Sequence, residues 1–167
     1  MMGFGKTIEV TIADGMVSVR DYGRGVPLGK VVDVSSKMNT GAKYDNKAFK
    51  KSVGLNGVGI KAVNALSSLF RITSWRDGES KEVEYSKAVV TRDSGTIPSK
   101  EPNGTLVTFV PDDTIFKNYQ YKEDFIEPLL KNYVFLNSGL TILYNGKKYY
   151  SRHGLVDLLN EYLTSEP

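Results

Sequence analysis

Gly54-Leu55-Asn56-Gly57-Val58-Gly59 decides how this sequence is read. Directly after its second glycine, Val58, Ala62, Val63, Ala65, Leu66 and Leu69 recur at helical spacing, so the pattern predicts a helix opening on a glycine cluster. Glycine has no Cβ to keep backbone N–H groups from turning toward an anion. A helix N-terminus adds unpaired donors and a partial positive charge. A structural turn and a phosphate cradle both fit this hexapeptide taken alone. No Lys-Ser/Thr follows the last glycine, so it is not a Walker A loop. A long irregular loop precedes it rather than a strand, which argues against a dinucleotide fingerprint.

That loop, Asn39 to Leu55, is polar, basic and without clear period. From Lys37 to Lys61 there are six lysines against a single acid, Asp45. A solvated basic loop is the plain reading, and a nearby polyanion is the functional one; the adjacent glycines favour phosphate. Loops this long inside a compact domain are usually functional or mobile.

Toward the N-terminus, Ile8, Val10 and Ile12 alternate with polar residues, break at Asp14-Gly15, and resume from Met16 to Asp21. Two such runs around Asp-Gly predict a hairpin. Tyr22 to Gly29 carries three glycines and a proline and reads as a loop, and Lys30 to Met38 as a short helix. Beyond the glycine cluster, Phe70–Arg76 and Glu79–Val90 read as strands joined at Asp77-Gly78, Thr91–Asn103 as a loop, and Gly104–Val110 as a strand. Tyr121–Leu136 is predicted helical, with Pro128 a kink or break. Leu140–Ser151 reads as a hairpin turning at Asn145-Gly146, and Leu155–Leu163 as a closing amphipathic helix. This mixture predicts an α+β fold, its largely antiparallel sheet covered on one face by helices, rather than a doubly wound one.

Composition narrows the class without choosing a function. At 167 residues, 40% hydrophobic and 25% charged, the chain is one globular domain. A net charge of +3 is too small to imply nucleic-acid binding. Cysteine is absent, which excludes disulfides and thiolate metal sites and is compatible with the cytoplasm. No apolar run is long enough to span a membrane, and Met1 to Lys6 lacks the apolar stretch of a secretory signal.

Two further motifs carry chemistry. Asp21-Tyr22-Gly23-Arg24-Gly25-Val26-Pro27 follows a strand. A carboxylate there can accept a hydrogen bond from an amino group such as the exocyclic amine of adenine, while Gly23 and Gly25 let a flat ring approach the backbone. Asp beside Gly is more often a turn former. Asn103-Gly104-Thr105 puts a hydroxyl at the start of a strand.

Asp-x-Gly-x-Gly, a basic loop, Gly-x-x-Gly-x-Gly opening a helix, and Gly-Thr on a later strand form the motif order of the GHKL ATPases. That superfamily includes gyrase, a class of heat-shock chaperones, histidine kinases and MutL. Within it, the chain resembles the ATP-binding domain of bacterial type IIA DNA topoisomerase B subunits, those of gyrase and topoisomerase IV. Asp21 to Pro27, Thr40-Gly-Ala-Lys-Tyr-Asp45, Gly54 to Gly59, Val63-Asn-Ala-Leu-Ser67, Gly104-Thr-Leu-Val-Thr-Phe109, Phe135-Leu-Asn-Ser-Gly139 and the closing Gly154 to Leu163 carry the resemblance. The segments at Thr40–Asp45 and Phe135–Gly139 set it apart from histidine kinases and MutL.

The resemblance implies a GHKL two-layer sandwich that binds ATP. Asp21 would accept the adenine amine with a water shared by Thr105; Val19 and Val107 would line the adenine slot. Gly25 and Pro27 would shape the adjacent loop, and Arg24 and Arg76 the pocket mouth. Lys43 and the backbone of Gly54, Leu55, Asn56, Gly57, Val58 and Gly59 would face the phosphates, with Asn39–Leu55 as the ATP lid. Asn56 stands where the family commonly has His. The stretch Pro27–Met38 is shorter than in gyrase and leans toward topoisomerase IV. In this family a helix before the first strand supplies a general-base Glu and a Mg²⁺-binding Asn. Only five residues precede the strand starting near Lys6, and Glu9 lies within it. The expectation is therefore a GHKL ATP-binding fragment over residues 1–167, without that helix, a transducer or a DNA-cleavage domain, and without ATP hydrolysis of its own. DNA, the topoisomerase A subunit and a second B subunit are the partners the resemblance implies, with no membrane. A non-catalytic GHKL-fold nucleotide-binding or protein-interaction module is the alternative.

Overall fold

The computed structural model describes residues 5–36 and 58–164. Strands β1 (Thr7–Ala13) and β2 (Met16–Asp21) form the first hairpin. Asp14 and Gly15 both have positive φ, 51° and 76°, the backbone a two-residue hairpin turn demands. A 3-10 turn at Leu28–Lys30 leads into α1 (Val31–Ser36), inside the expected short helix. The helix after the glycine cluster, α2, is Gly59–Ala65. It stops earlier than its spacing suggests, and Leu69 lies instead in β3 (Ser67–Arg76). The carbonyls that would continue α2 are taken by distant amides: Asp112 N–H donates to Leu66 O at 2.9 Å and Lys87 N–H to Ser67 O at 3.2 Å.

Glu79–Val90 is not one strand. It ends as β4 (Glu79–Ser86), turns at Lys87-Ala88, and returns as β5 (Val89–Pro98), which occupies most of the expected loop Thr91–Asn103. Lys87 and Ala88 have φ of 48° and 64°. They adopt the geometry of an Asn-Gly turn with neither residue, so the turn carries no sequence signal. β5 is almost wholly exposed, and its middle, Thr91 to Thr96, is polar, as suits an edge strand. Its register shifts twice against β4, and the cross-strand pairs Lys81–Asp93 (3.1 Å) and Arg92–Glu82 (3.6 Å) sit on it.

β6 (Gly104–Pro111) is followed by α3 (Glu123–Leu136), which runs unbroken through Pro128. The hairpin of β7 (Thr141–Tyr144) and β8 (Lys147–Tyr150) turns at Asn145-Gly146, and α4 (Leu155–Thr164) closes the described chain. All eight strands join one sheet in the order β5-β4-β3-β6-β2-β1-β7-β8. Among the described strands only β1 and β7 pair in parallel.

Register decides which face is covered, because residues directly opposite share a face. One row across the sheet is Ile142, Ile8, Asp21, Thr105 and Ser74; the next is Val10, Val19, Val107, Ile72 and Val83; a third is Ile12, Val17, Phe109, Phe70 and Tyr85. This is the helix side. At its β3–β4 end, Phe70, Ile72, Val83 and Tyr85 are fully buried with Val31 of α1 and pack against Ile60 and Val63 of α2. At its β1–β7–β8 end, Ile142, Tyr144 and Tyr149 pack with Ile126, Leu130 and Val134 of α3. Burial, with a bond to Glu123, pushes the Tyr144 phenol up to about 12. The opposite face carries polar pairs such as Arg71–Glu84 (2.6 Å), Thr73–Glu82 (3.1 Å) and Ser18–Thr108 (3.0 Å).

Two stability outcomes follow from these details. Holding a non-glycine residue in the left-handed region costs roughly 1–2 kcal/mol, partly offset by the greater unfolded-state entropy of glycine. Ala88→Gly is therefore expected to raise stability by about 0.5–1 kcal/mol, seen as a higher urea midpoint at unchanged m-value. At the start of α4, the Ser151 hydroxyl donates to Asp157 at 2.6 Å and His153 N–H at 3.0 Å, bringing its carboxyl down to about 2. A carboxyl depressed on folding stabilises above its unfolded pKa and loses that contribution as pH falls through the folded value. The melting-temperature gap between the parent chain and Asp157→Asn should be full near neutrality and close between about pH 4 and pH 2.

Candidate nucleotide-binding site

Asp21 ends β2, and its register partner on β6 is Thr105; one step further in, Val19 faces Val107. These four residues form a block of two polar and two apolar side chains on the helix side of the sheet. They are only partly buried. The block lies between the two helix-covered clusters, and Val19 belongs to neither. Asp21 Oδ1 accepts the Gly23 N–H at 2.8 Å, which orients the carboxylate. Asp21 Oδ2 and the Thr105 hydroxyl have no partner among the described residues. A charged acceptor and a hydroxyl thus sit side by side above an apolar floor, an arrangement suited to the edge of a flat, polar-rimmed ring.

The loop after Asp21 folds over the ends of β3 and β6. Ser74 is fully buried and donates its hydroxyl to Val26 O at 2.7 Å, and Arg76 Nη1 donates to Gly25 O at 3.2 Å. Gly25, at φ 74°, packs against the carbonyls of Trp75 and Gly104 where a Cβ would collide. Gly104, at φ 146°, lies against the Asp21 carbonyl. Arg76 therefore clamps the loop. Arg24 and Pro27 are exposed on the same loop.

Of the expected phosphate-facing residues, Val58 and Gly59 are described, exposed at the start of α2. Lys43, Gly54, Leu55, Asn56, Gly57 and the lid Asn39–Leu55 lie outside the described residues. Glu9 accepts the Tyr22 hydroxyl at 3.0 Å on the opposite face, a bond that raises the Tyr22 phenol pKa. Among the described residues no three of His, Cys, Asp and Glu converge to hold a metal ion. No helix among them is long and apolar enough to cross a membrane.

Sequence reasoning missed Ser74 and Arg20. Ser74 is a plain strand serine until the register places it beside Thr105. Arg20 alternates with Asp21 and so points away from the block. Its Cζ lies over the rings of Tyr22 (4.7 Å) and Trp75 (4.1 Å). An apolar cavity of about 360 Å³ lies further along β6, bounded by Ala62, Val63, Leu66, Phe109, Phe116 and Tyr121.

Replacing Gly104 is expected to be costly. Gly104→Ala forces a Cβ into the Asp21 carbonyl at an unfavourable φ, and backbone strain of this kind is worth about 1–3 kcal/mol. Urea denaturation should show a loss of at least about 2 kcal/mol or a chain that no longer folds.

The chain matches no family model. It is 47% identical over 166 residues to the B subunit of DNA topoisomerase 4 from Borreliella burgdorferi, covering 99% of this chain and 28% of that protein. It is 33% identical over 183 residues to the DNA gyrase B subunit of the same organism, covering 99% and 29%. Its fold superposes on the crystal structure of the 43K ATPase domain of Thermus thermophilus gyrase B in complex with an aminocoumarin. That match has a TM-score of 0.77 and 26% identity, over 98% of this chain and 45% of that one. The chain thus spans less than a third of the curated relatives it matches. With the GHKL α+β architecture, it belongs to the family of bacterial type IIA DNA topoisomerase B subunits, those of gyrase and topoisomerase IV.

Proposed function

We propose that the block of Asp21, Thr105, Val19 and Val107 reads the adenine of ATP, and that this chain serves as nucleotide-binding domain in a type II topoisomerase B subunit. The observation carrying the proposal is the pairing of Asp21 with Thr105 at the partly open end of β2 and β6, with Oδ2 unengaged. Asp21 accepts the exocyclic amine, Thr105 holds a water against the ring edge, and Val19 and Val107 provide the apolar floor. Gly25, Pro27, Arg24 and Arg76 border the ring and sugar. Lys43 and the segment Gly54–Gly59 take the phosphates by resemblance to the family. In a longer protein, ATP binding and hydrolysis by this domain would drive DNA strand passage in the cytoplasm, with the A subunit and a second B subunit as partners and Mg²⁺ as cofactor. Hydrolysis is not assigned to the described residues: Glu9, on β1, is engaged by Tyr22 on the face away from the block.

Within the family, the topoisomerase IV reading is favoured. Against the two B subunits of a single organism, identity is 47% for topoisomerase 4 and 33% for gyrase.

A hydrogen bond to a charged acceptor is worth roughly 1.5–3 kcal/mol. Asp21→Ala should therefore weaken an adenine-competitive ligand about tenfold or more, measured by calorimetry on a variant whose melt shows it folded. Unchanged affinity would remove Asp21 from the site.

A further inference from the structure

Arg20 sits where no motif points. Asp21 and Val19 face the helix side of the sheet, so Arg20 between them faces the other side. Its guanidinium is nevertheless tied to the same few atoms that place the Asp21–Thr105 pair. Nη1 donates to the Asp21 carbonyl and Nη2 to the Pro102 carbonyl, both at 2.9 Å. Its Cζ lies over the Tyr22 ring at 4.7 Å and over the Trp75 ring at 4.1 Å. Tyr22 is anchored in turn by Glu9.

These contacts join three separate pieces of chain. The Asp21 carbonyl belongs to the end of β2, and Pro102 precedes the turn into β6. Trp75 is paired with Gly104 near the end of β3. Asn103, between Pro102 and Gly104, accepts the Asp77 N–H at 2.9 Å. Gly104 packs directly on the carbonyl that Arg20 holds, and Thr105 follows it. A planar fork that donates in two directions while stacking on two rings is a task for Arg that Lys, a single flexible point charge, does not perform.

We propose that Arg20 is a positioning residue for base specificity: from behind the sheet it fixes the spacing between the Asp21 carboxylate and the Thr105 hydroxyl. The inference rests on the adenine reading given above. Loss of the fork lets the end of β2 and the 102–104 turn move apart. Recognition of the base edge then weakens, while apolar contact with Val19 and Val107 persists. Adenine and hypoxanthine differ at the group Asp21 would read, an amine in one and a carbonyl in the other. The ratio of ATP to ITP affinity therefore reports that spacing, whereas a general loss of structure lowers both affinities together.

The test is calorimetric titration of the 167-residue chain with ATP and with ITP, for the parent, Arg20→Gln and Arg20→Lys, alongside thermal melts. The parent is expected to prefer ATP about tenfold or more. Arg20→Gln should bring the ratio below about threefold, and Arg20→Lys should not restore it. Emission from Trp75, the single tryptophan, should shift in both unliganded variants as the stack is lost. A parent ratio near one overturns the adenine reading and this inference with it. A parent preference that survives in Arg20→Gln, or equal losses for both nucleotides, overturns this inference alone. Should Arg20→Gln fail to fold, Trp75→Leu removes one stacking surface and keeps the fork. A reduced ratio there supports the role and an unchanged ratio overturns it.

Discussion

Everything at the candidate site depends on the antiparallel pairing of β2 with β6. The two strands are more than eighty residues apart in the chain, yet their register sets Asp21 beside Thr105 and Val19 beside Val107. The same pairing is the seam of the sheet: on one side lies the β1–β2 hairpin with β7 and β8, on the other β3, β4 and β5. A slip of one residue would turn Asp21 and Val19 to the polar face and bring Arg20 to the helix side. Side-chain packing opposes that slip from both flanks, since Ile8, Val10 and Ile12 are held under α3 and Phe70 and Ile72 under α1 and α2.

The site falls where it does because the helices cover the sheet in two groups. α1 and α2 lie on β3 and its neighbours, α3 on β7 and β8. At the Asp21 end of the central strands Asp21 and Thr105 are only partly buried, so polar groups there can stay unpaired without the penalty that full burial imposes. Close backbone approach then finishes the local geometry. Gly104 touches the Asp21 carbonyl, Gly25 touches the Trp75 carbonyl, and Ser74 and Arg76 pin the intervening loop. Little of this rests on exposed ion pairs, which are worth about 0–1 kcal/mol each at a surface.

Identity of 26% to a solved gyrase domain, with a TM-score of 0.77, is consistent with this division of labour. Row-wise apolar packing tolerates exchange among residues of similar size, so most of the sheet can diverge. The positions that tolerate least are those where backbone meets backbone, as at Gly25 and Gly104. Arg20 is of another kind: its side chain does the joining, and the strand pattern around it requires no arginine.

Much of this was legible in the residues themselves, and the boundary has a physical basis. Local rules sufficed wherever the deciding interaction is local. Asp14-Gly15, Asp77-Gly78 and Asn145-Gly146 announced three hairpins because two positive φ values favour those residues. Alternation marked β1 and β2 as strands, and the order of the glycine motifs identified the family. Local rules failed wherever a distant partner decides. Lys87-Ala88 turns because β4 and β5 pair on either side of it. β5 is strand because β4 supplies its hydrogen bonds, although its composition is that of a loop. α2 ends at Ala65 because Asp112, just after β6, and Lys87, in the turn after β4, capture the next carbonyls. The sequence alone thus determined the class of fold, the family and the chemical types at the site. Only tertiary structure decided that Asp21 and Thr105 are neighbours, that Ser74 joins them, and that Arg20 braces them from behind, because a strand register across eighty residues is written in packing and not in any local motif.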